Sequence, residues 1–102
     1  MAGEYGLHVR FPALPGKADE LEAVLLRAAE SLKGSPECRL YVVGRSPGEE
    51  NLVWVIEVWS SREAHAAGLQ DPAAQAIIPR ALALLDGRPQ ATELRPAGGK
   101  GL

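Results

Sequence analysis

"VWVIEVWSSREAH", residues 53–65, decides how this chain folds. It starts as an unbroken apolar run, admits one carboxylate at Glu57, and closes on a second tryptophan, a polar turn and a histidine. Taken from Leu52, "LVWVIEVW" (52–59) has the β-branched and aromatic content of a strand. A strand with one wet face alternates apolar and polar residues, and this one does not. Leu52, Trp54, Ile56 and Val58 form one apolar face, while Val53, Val55, Glu57 and Trp59 form the other. Both faces are therefore expected to lie out of water.

Three further runs read as strands. In "YGLHVRF" (5–11), Tyr5, Leu7, Val9 and Phe11 alternate with Gly6, His8 and Arg10. "CRLYVVG" (38–44) is β-branched and aromatic, and "RPQATELR" (88–95) is a weaker fourth candidate. "PALPG" (12–16) and "RSPGEEN" (45–51) are turns rich in Pro, Gly and charge.

Two helical regions lie between the strands. Apolar residues at Leu21, Val24, Leu25, Ala28 and Leu32 stripe a helix from Lys17 to Lys33, stopped by Gly34 and Pro36. Ser60 and Glu63 have the spacing of a capping box, opening a short helix that ends near Leu69. Asp71 and Pro72 restart it as N-cap and first helical residue. The face Ala74, Ile77, Ile78, Ala81, Leu82 and Leu85 runs on to Asp86-Gly87, and Pro79 is expected to kink or split it. Residues 96–102, "PAGGKGL", read as a mobile or partner-dependent tail.

The order is β-α-β-β-α-β over one domain spanning 1–102. It predicts an α+β, ferredoxin-like fold: a four-stranded antiparallel sheet with the helices on one face. Those helices shield only one side of the third strand. The face bearing Val53, Val55 and Trp59 is expected to be roofed by a second copy, making a two-fold dimer with the sheets face to face. Glu57 would then lie between the sheets, beside a cavity there.

Composition narrows the function. Eleven Lys+Arg against 13 Asp+Glu give a formal net charge of −2, and no basic cluster points to nucleic acid. No apolar stretch approaches the roughly 20 residues of a membrane span. The opening "MAGEYGLHVRF" lacks the features of a signal peptide, and the single Cys38 cannot form an intrachain bridge, so a cytoplasmic protein is expected. No His/Cys/Asp/Glu spacing suggests a metal, and no Gly-rich turn between strand and helix suggests a nucleotide.

The stretches "YGLHVRFPALPGKADELEAVLLRAAE", "CRLYVV", "VWVIEVWSSREAHAAGL", "IIPRALALLDGRP" and "PAGGKGL" together resemble the antibiotic biosynthesis monooxygenase (ABM) family of dimeric α+β barrels. The most recognisable element is Glu57-x-Trp59 followed by a helix containing His. The resemblance implies a cofactor-independent monooxygenase acting on a small quinol-like or polyphenolic aromatic, with no flavin, haem or metal. Once deprotonated, such a ring supplies the electron to O₂ itself. The protein must supply a dry cavity, a base and donors for a phenolate.

The candidate parts follow. Trp59 offers a flat surface to the ring. His65 and His8 are the candidate bases. Arg10, beside His8 on strand one, is expected to point into the inter-sheet space and balance Glu57 or a substrate anion. Val55 shares the Glu57 face and is expected to line the same cavity. Many family members carry a histidine nine residues after the tryptophan, where this chain has Gly68; His65 falls six after it. The haem-degrading branch uses an Asn on strand one, which is absent here. Two other readings stay open: a non-catalytic dimeric barrel that carries or senses an apolar small molecule, and an interaction module with a solid interior.

Overall fold

The computed structural model describes residues 4–102; Met1–Gly3, the start of the segment expected to lack a leader, lie outside the described residues. The elements run β1 (Tyr5–Pro12), α1 (Ala18–Ser31), β2 (Cys38–Gly44), β3 (Leu52–Trp59), α2 (Arg62–Leu69), α3 (Pro72–Leu82) and β4 (Gln90–Leu94). The strands form one antiparallel sheet in the order β2-β3-β1-β4. The expected α+β, ferredoxin-like arrangement is what the chain adopts, with the second helical region divided into α2 and α3.

Register explains which residues share a face. β1 pairs with β3 so that Tyr5 meets Trp59, Leu7 meets Glu57, Val9 meets Val55 and Phe11 meets Val53. Side chains directly opposite in a pair lie on the same side of the sheet. The eight therefore share one face, and that face is the one beneath the helices. Val53 and Val55 are fully buried in a core with Leu21 and Leu25 of α1 and Ala81 of α3.

This reverses an expectation from the sequence. The Val53/Val55/Glu57/Trp59 face is covered by the chain's own helices, not left for a second copy. The helix-free face carries Trp54, Ile56 and Val58, with Leu40 and Val42 of β2 and Leu94 of β4 in register beside them. Val42 and Leu94 are 42% and 39% exposed. The inference that β3 has two apolar faces stands; the assignment of faces was inverted. Both sets are apolar, so alternation alone cannot say which meets a helix.

Capping differs by one residue. Ser61, not Ser60, is the N-cap of α2, its Oγ accepting from the Ala64 N–H at 3.0 Å. The Ser60 hydroxyl instead donates to Glu37. Asp71 caps α3 as expected, accepting from the Ala73 N–H at 2.9 Å. Pro79 does not split α3, which runs through it to Leu82. Residues 96–102 contain no helix or strand.

Two local devices hold the frame. Arg45, just past β2, donates to Asp19 at 2.9 Å and Glu22 at 3.1 Å on α1 and to the Glu50 carbonyl at 3.0 Å. It ties the β2–β3 turn to the first helix. On the other face, Gly44 lets the Trp54 ring lie flat across β2, where a Cβ would come within 2.2 Å of it. The Trp54 indole N–H donates to Ser46 Oγ at 3.1 Å.

Leu21 is fully buried at the centre of the helix–sheet core. Leu21→Ala is expected to cost about 3 kcal/mol of stability in urea unfolding, as a core truncation with partial collapse does; a loss below about 1 kcal/mol contradicts the packing described.

Candidate functional site

Between the sheet and the helices the fold leaves an open-mouthed cavity of about 300 Å³. Its floor is the sheet, through Phe11, Tyr41, Glu57 and Trp59. Its walls are Leu25, Ala28 and Leu32 of α1, His65 and Gly68 of α2, and Ala74, Ile77 and Ile78 of α3. Small side chains at Ala28, Gly68 and Ala74 are what keep this space open. The lining is hydrocarbon except near Glu57, His65, Tyr41 and Ser31, and the Ser31 hydroxyl is already committed to the Ala28 carbonyl at 2.7 Å.

Glu57 is 7% exposed. β3 delivers it from the middle of an otherwise apolar strand, so its partners must come from the cavity itself. The Trp59 indole N–H donates to Glu57 Oε1 at 2.7 Å. Alternation puts residues two apart on one face, which is how the E-x-W spacing brings these groups together. His65 Nε2 lies 3.6 Å from the same oxygen, within ion-pair range but too long for a hydrogen bond. Burial pushes the Glu57 carboxyl above its ordinary range, and the Trp59 N–H and His65 pull it partly back.

The imidazole is held on two sides. Its ring meets Trp59 edge-on at 5.6 Å between centroids and Tyr5 at 5.5 Å. Tyr5 and Trp59 are paired across β1 and β3, so His65 descends from α2 over two neighbouring rings. Tyr5 is itself covered by the Arg62 guanidinium, 4.7 Å from its centroid, and donates to Glu93 at 3.3 Å. Arg62 and Glu93 pair at 2.7 Å, joining α2 to β4.

The structure thus brings Glu57, Trp59 and His65 to one cavity and separates the other candidates from it. His8 and Arg10 point from the helix-free face of β1, away from Glu57. His8 packs its ring on Trp54 at 6.4 Å, and Arg10 pairs with Glu49 at 2.9 Å. Neither can serve this cavity, and Arg10 does not balance Glu57. Val55 is fully buried in the core and does not line the space. The cavity itself lies between sheet and helices, not between two sheets.

Three participants escaped the sequence reading: Tyr5, Tyr41 and Gly68. Tyr41 meets Glu57 in the β2–β3 register, a pairing the turn between them sets and the sequence does not spell out. At Gly68 a Cβ would come within 2.6 Å of the Trp59 ring. In this chain the Trp59 ring lies so close to Gly68 that a side chain there would have to displace it. Cys38 stands at the start of β2 with its thiol pushed up by burial and by Glu57, the opposite of an activated nucleophile.

The model of the antibiotic biosynthesis monooxygenase family matches residues 5–80. The chain belongs to that family. A candidate antibiotic biosynthesis monooxygenase from Chloroflexus aurantiacus is 36% identical, with 95% of this chain and 96% of that one covered, at a TM-score of 0.82. Another from Caulobacter crescentus is 27% identical over 94% and 92% of the two chains, at 0.86. SnoaB from Streptomyces nogalater, a cofactor-independent oxygenase, shares the fold at 0.82 and 21% identity over 97% and 98%. No curated protein matches the chain. Among the described residues no three His, Cys, Asp or Glu side chains cluster as metal ligands, and no helix is long and apolar enough to cross a membrane.

The raised Glu57 carboxyl carries a pH signature. A carboxyl that holds its proton more tightly folded than unfolded contributes stability in full below its ordinary value of 4.5. That contribution is lost as pH rises through the higher folded value. The stability of wild type minus that of Glu57→Gln, measured in urea between pH 4 and 8, is expected to fall with rising pH. A flat or rising difference contradicts the burial described.

Proposed function

We propose that this ABM-family protein is a cofactor-independent monooxygenase that oxidises a small quinol-like aromatic with O₂ in the helix–sheet cavity. The observation that carries the reading is the convergence of Glu57, Trp59 and His65 at one end of a space otherwise walled by hydrocarbon. SnoaB, an oxygenase that needs no cofactor, is a precedent for the chemistry on this fold.

His65 is the base. It takes the phenolic proton, and the imidazolium so formed is stabilised by Glu57 at 3.6 Å. The Tyr5 and Trp59 rings fix its orientation. Trp59 also offers its face to the substrate ring, and the apolar walls exclude water that would quench a reactive anion. The deprotonated ring passes one electron to O₂, the radical pair combines at a ring carbon, and the imidazolium returns its proton to give the hydroperoxide. Loss of the carbon-bound proton with cleavage of the O–O bond leaves a new ring carbonyl and releases water. The substrate loses two hydrogens and gains one oxygen; the second oxygen atom and those hydrogens leave as water.

The same reading makes the protein a homodimer acting in the cytoplasm. The helix-free face leaves Leu40, Val42, Trp54, Ile56 and Leu94 partly or largely exposed, apolar side chains of the kind a second sheet covers. Sedimentation is expected to show dimers, and Ile56→Asp to shift them toward monomers; monomeric wild type at micromolar concentration contradicts it.

Oxygen-electrode assays with 1,4-dihydroxynaphthalene and hydroquinone test the chemistry. Enzyme-dependent O₂ uptake is expected, reduced about 10²–10⁴-fold by His65→Ala, as loss of a general base implies. His8→Ala is expected to change it less than about twofold, since His8 faces away from the cavity. Ligand binding with no uptake above the blank would reject the oxygenase reading in favour of a carrier or sensor.

A further inference from the structure

Tyr41 packs its ring against the core, but its hydroxyl is a polar group of the cavity that the proposed chemistry does not use. It sits on β2 directly across from Glu57, on the same face, and its ring lines the cavity. Among the described residues its hydroxyl makes no hydrogen bond. Nor is that oxygen sealed in: the one fully buried side-chain polar atom without a partner among the described residues is Arg45 Nε. A phenol O–H with no internal partner at an apolar cavity wall is free to donate to whatever enters the cavity.

We propose that the Tyr41 hydroxyl donates to an oxygen of the cavity's ligand, and that this ligand is a one- or two-ring aromatic carrying two oxygens. One oxygen meets Tyr41 and the other meets the Glu57–His65 pair. The inference rests on reading the cavity as an aromatic-binding site, and it adds the ligand's polar pattern and a second point of recognition.

Several features agree. Tyr41 and Glu57 are cross-strand neighbours, so their Cβ atoms stand about 5 Å apart on the floor. Two residues further along β3, Trp59 supplies the ring wall, and Leu25, Ile77 and Ile78 supply no polar contact. A volume of about 300 Å³ is at the low end for ligand sites, which limits the ligand to few rings. Burial, with Glu57 nearby, holds the Tyr41 phenol far above its ordinary value, so it stays an O–H donor at any working pH. A fixed donor there also stabilises negative charge that develops on the ligand's distal oxygen.

The test is anaerobic binding, followed by tryptophan fluorescence, of 1,4-dihydroxynaphthalene and of naphthalene to wild type and Tyr41→Phe. The variant is expected to bind the diol about tenfold more weakly and naphthalene within twofold of wild type, as loss of one hydrogen bond predicts. Its unfolding midpoint is expected to be unchanged or higher, because the hydroxyl has no internal partner. Equal affinity of the two proteins for the diol overturns the proposal. So does a parallel loss for both probes, a marked drop in stability, or no binding of either probe to wild type. Aerobic O₂ uptake by the wild type is read separately: diol-selective binding without uptake keeps the Tyr41 contact and rejects the oxygenase chemistry.

Discussion

Glu57 is the charged residue that the fold buries among the described residues, and much of the site is arranged around it. A carboxyl taken out of water must gain partners or a proton. Here it gains an indole N–H from its own strand and an imidazole from the next helix. Both partners lie within eight residues of it along the chain. A strand ending in E-x-W, a serine-capped turn and a helix with its histidine on the fourth position therefore assemble a polar cluster from one short segment. The remainder of the protein supplies the roof and the emptiness. Helices α1 and α3 close over the cluster with apolar side chains, and alanines and a glycine leave the room.

The two tryptophans show how one strand serves two surfaces. Trp59 lies under the helices against Gly68, and Trp54 lies on the far face across Gly44. Each ring needs a glycine because each crosses the backbone of a neighbouring element at close range. On the inner face that arrangement gives the cavity a flat indole wall. On the outer face it lays a second indole across β2. The cavity and the helix-free face are thus formed by opposite sides of β3.

The element order and the cluster around Trp59 were legible in the sequence because both rest on local spacing. Periodicity located the strands, Asp71-Pro72 marked the start of α3, and the two-residue step from Glu57 to Trp59 put them on one face. The direction in which that face looks was not legible. It depends on the β1–β3 register, which sets Tyr5 against Trp59, and no local signal encodes that pairing. Alternation puts His8 and Arg10 opposite Leu7 and Val9, and only the register shows that theirs is the face turned away from Glu57. Tyr41 went unnoticed for a similar reason: its place beside Glu57 is a cross-strand fact, visible only once β2 and β3 are paired.

A direct measurement of the Glu57 carboxyl decides whether the cluster is as closed as described. Carbon-13 labelling of glutamate, with assignment by Glu57→Gln, gives its titration curve in the folded protein. A midpoint clearly above the ordinary 4.5 is expected, set by burial and only partly offset by Trp59 and His65. A midpoint at or below that value means a carboxylate open to water or fully neutralised by its neighbours, and the enclosed helix–sheet site is then wrong.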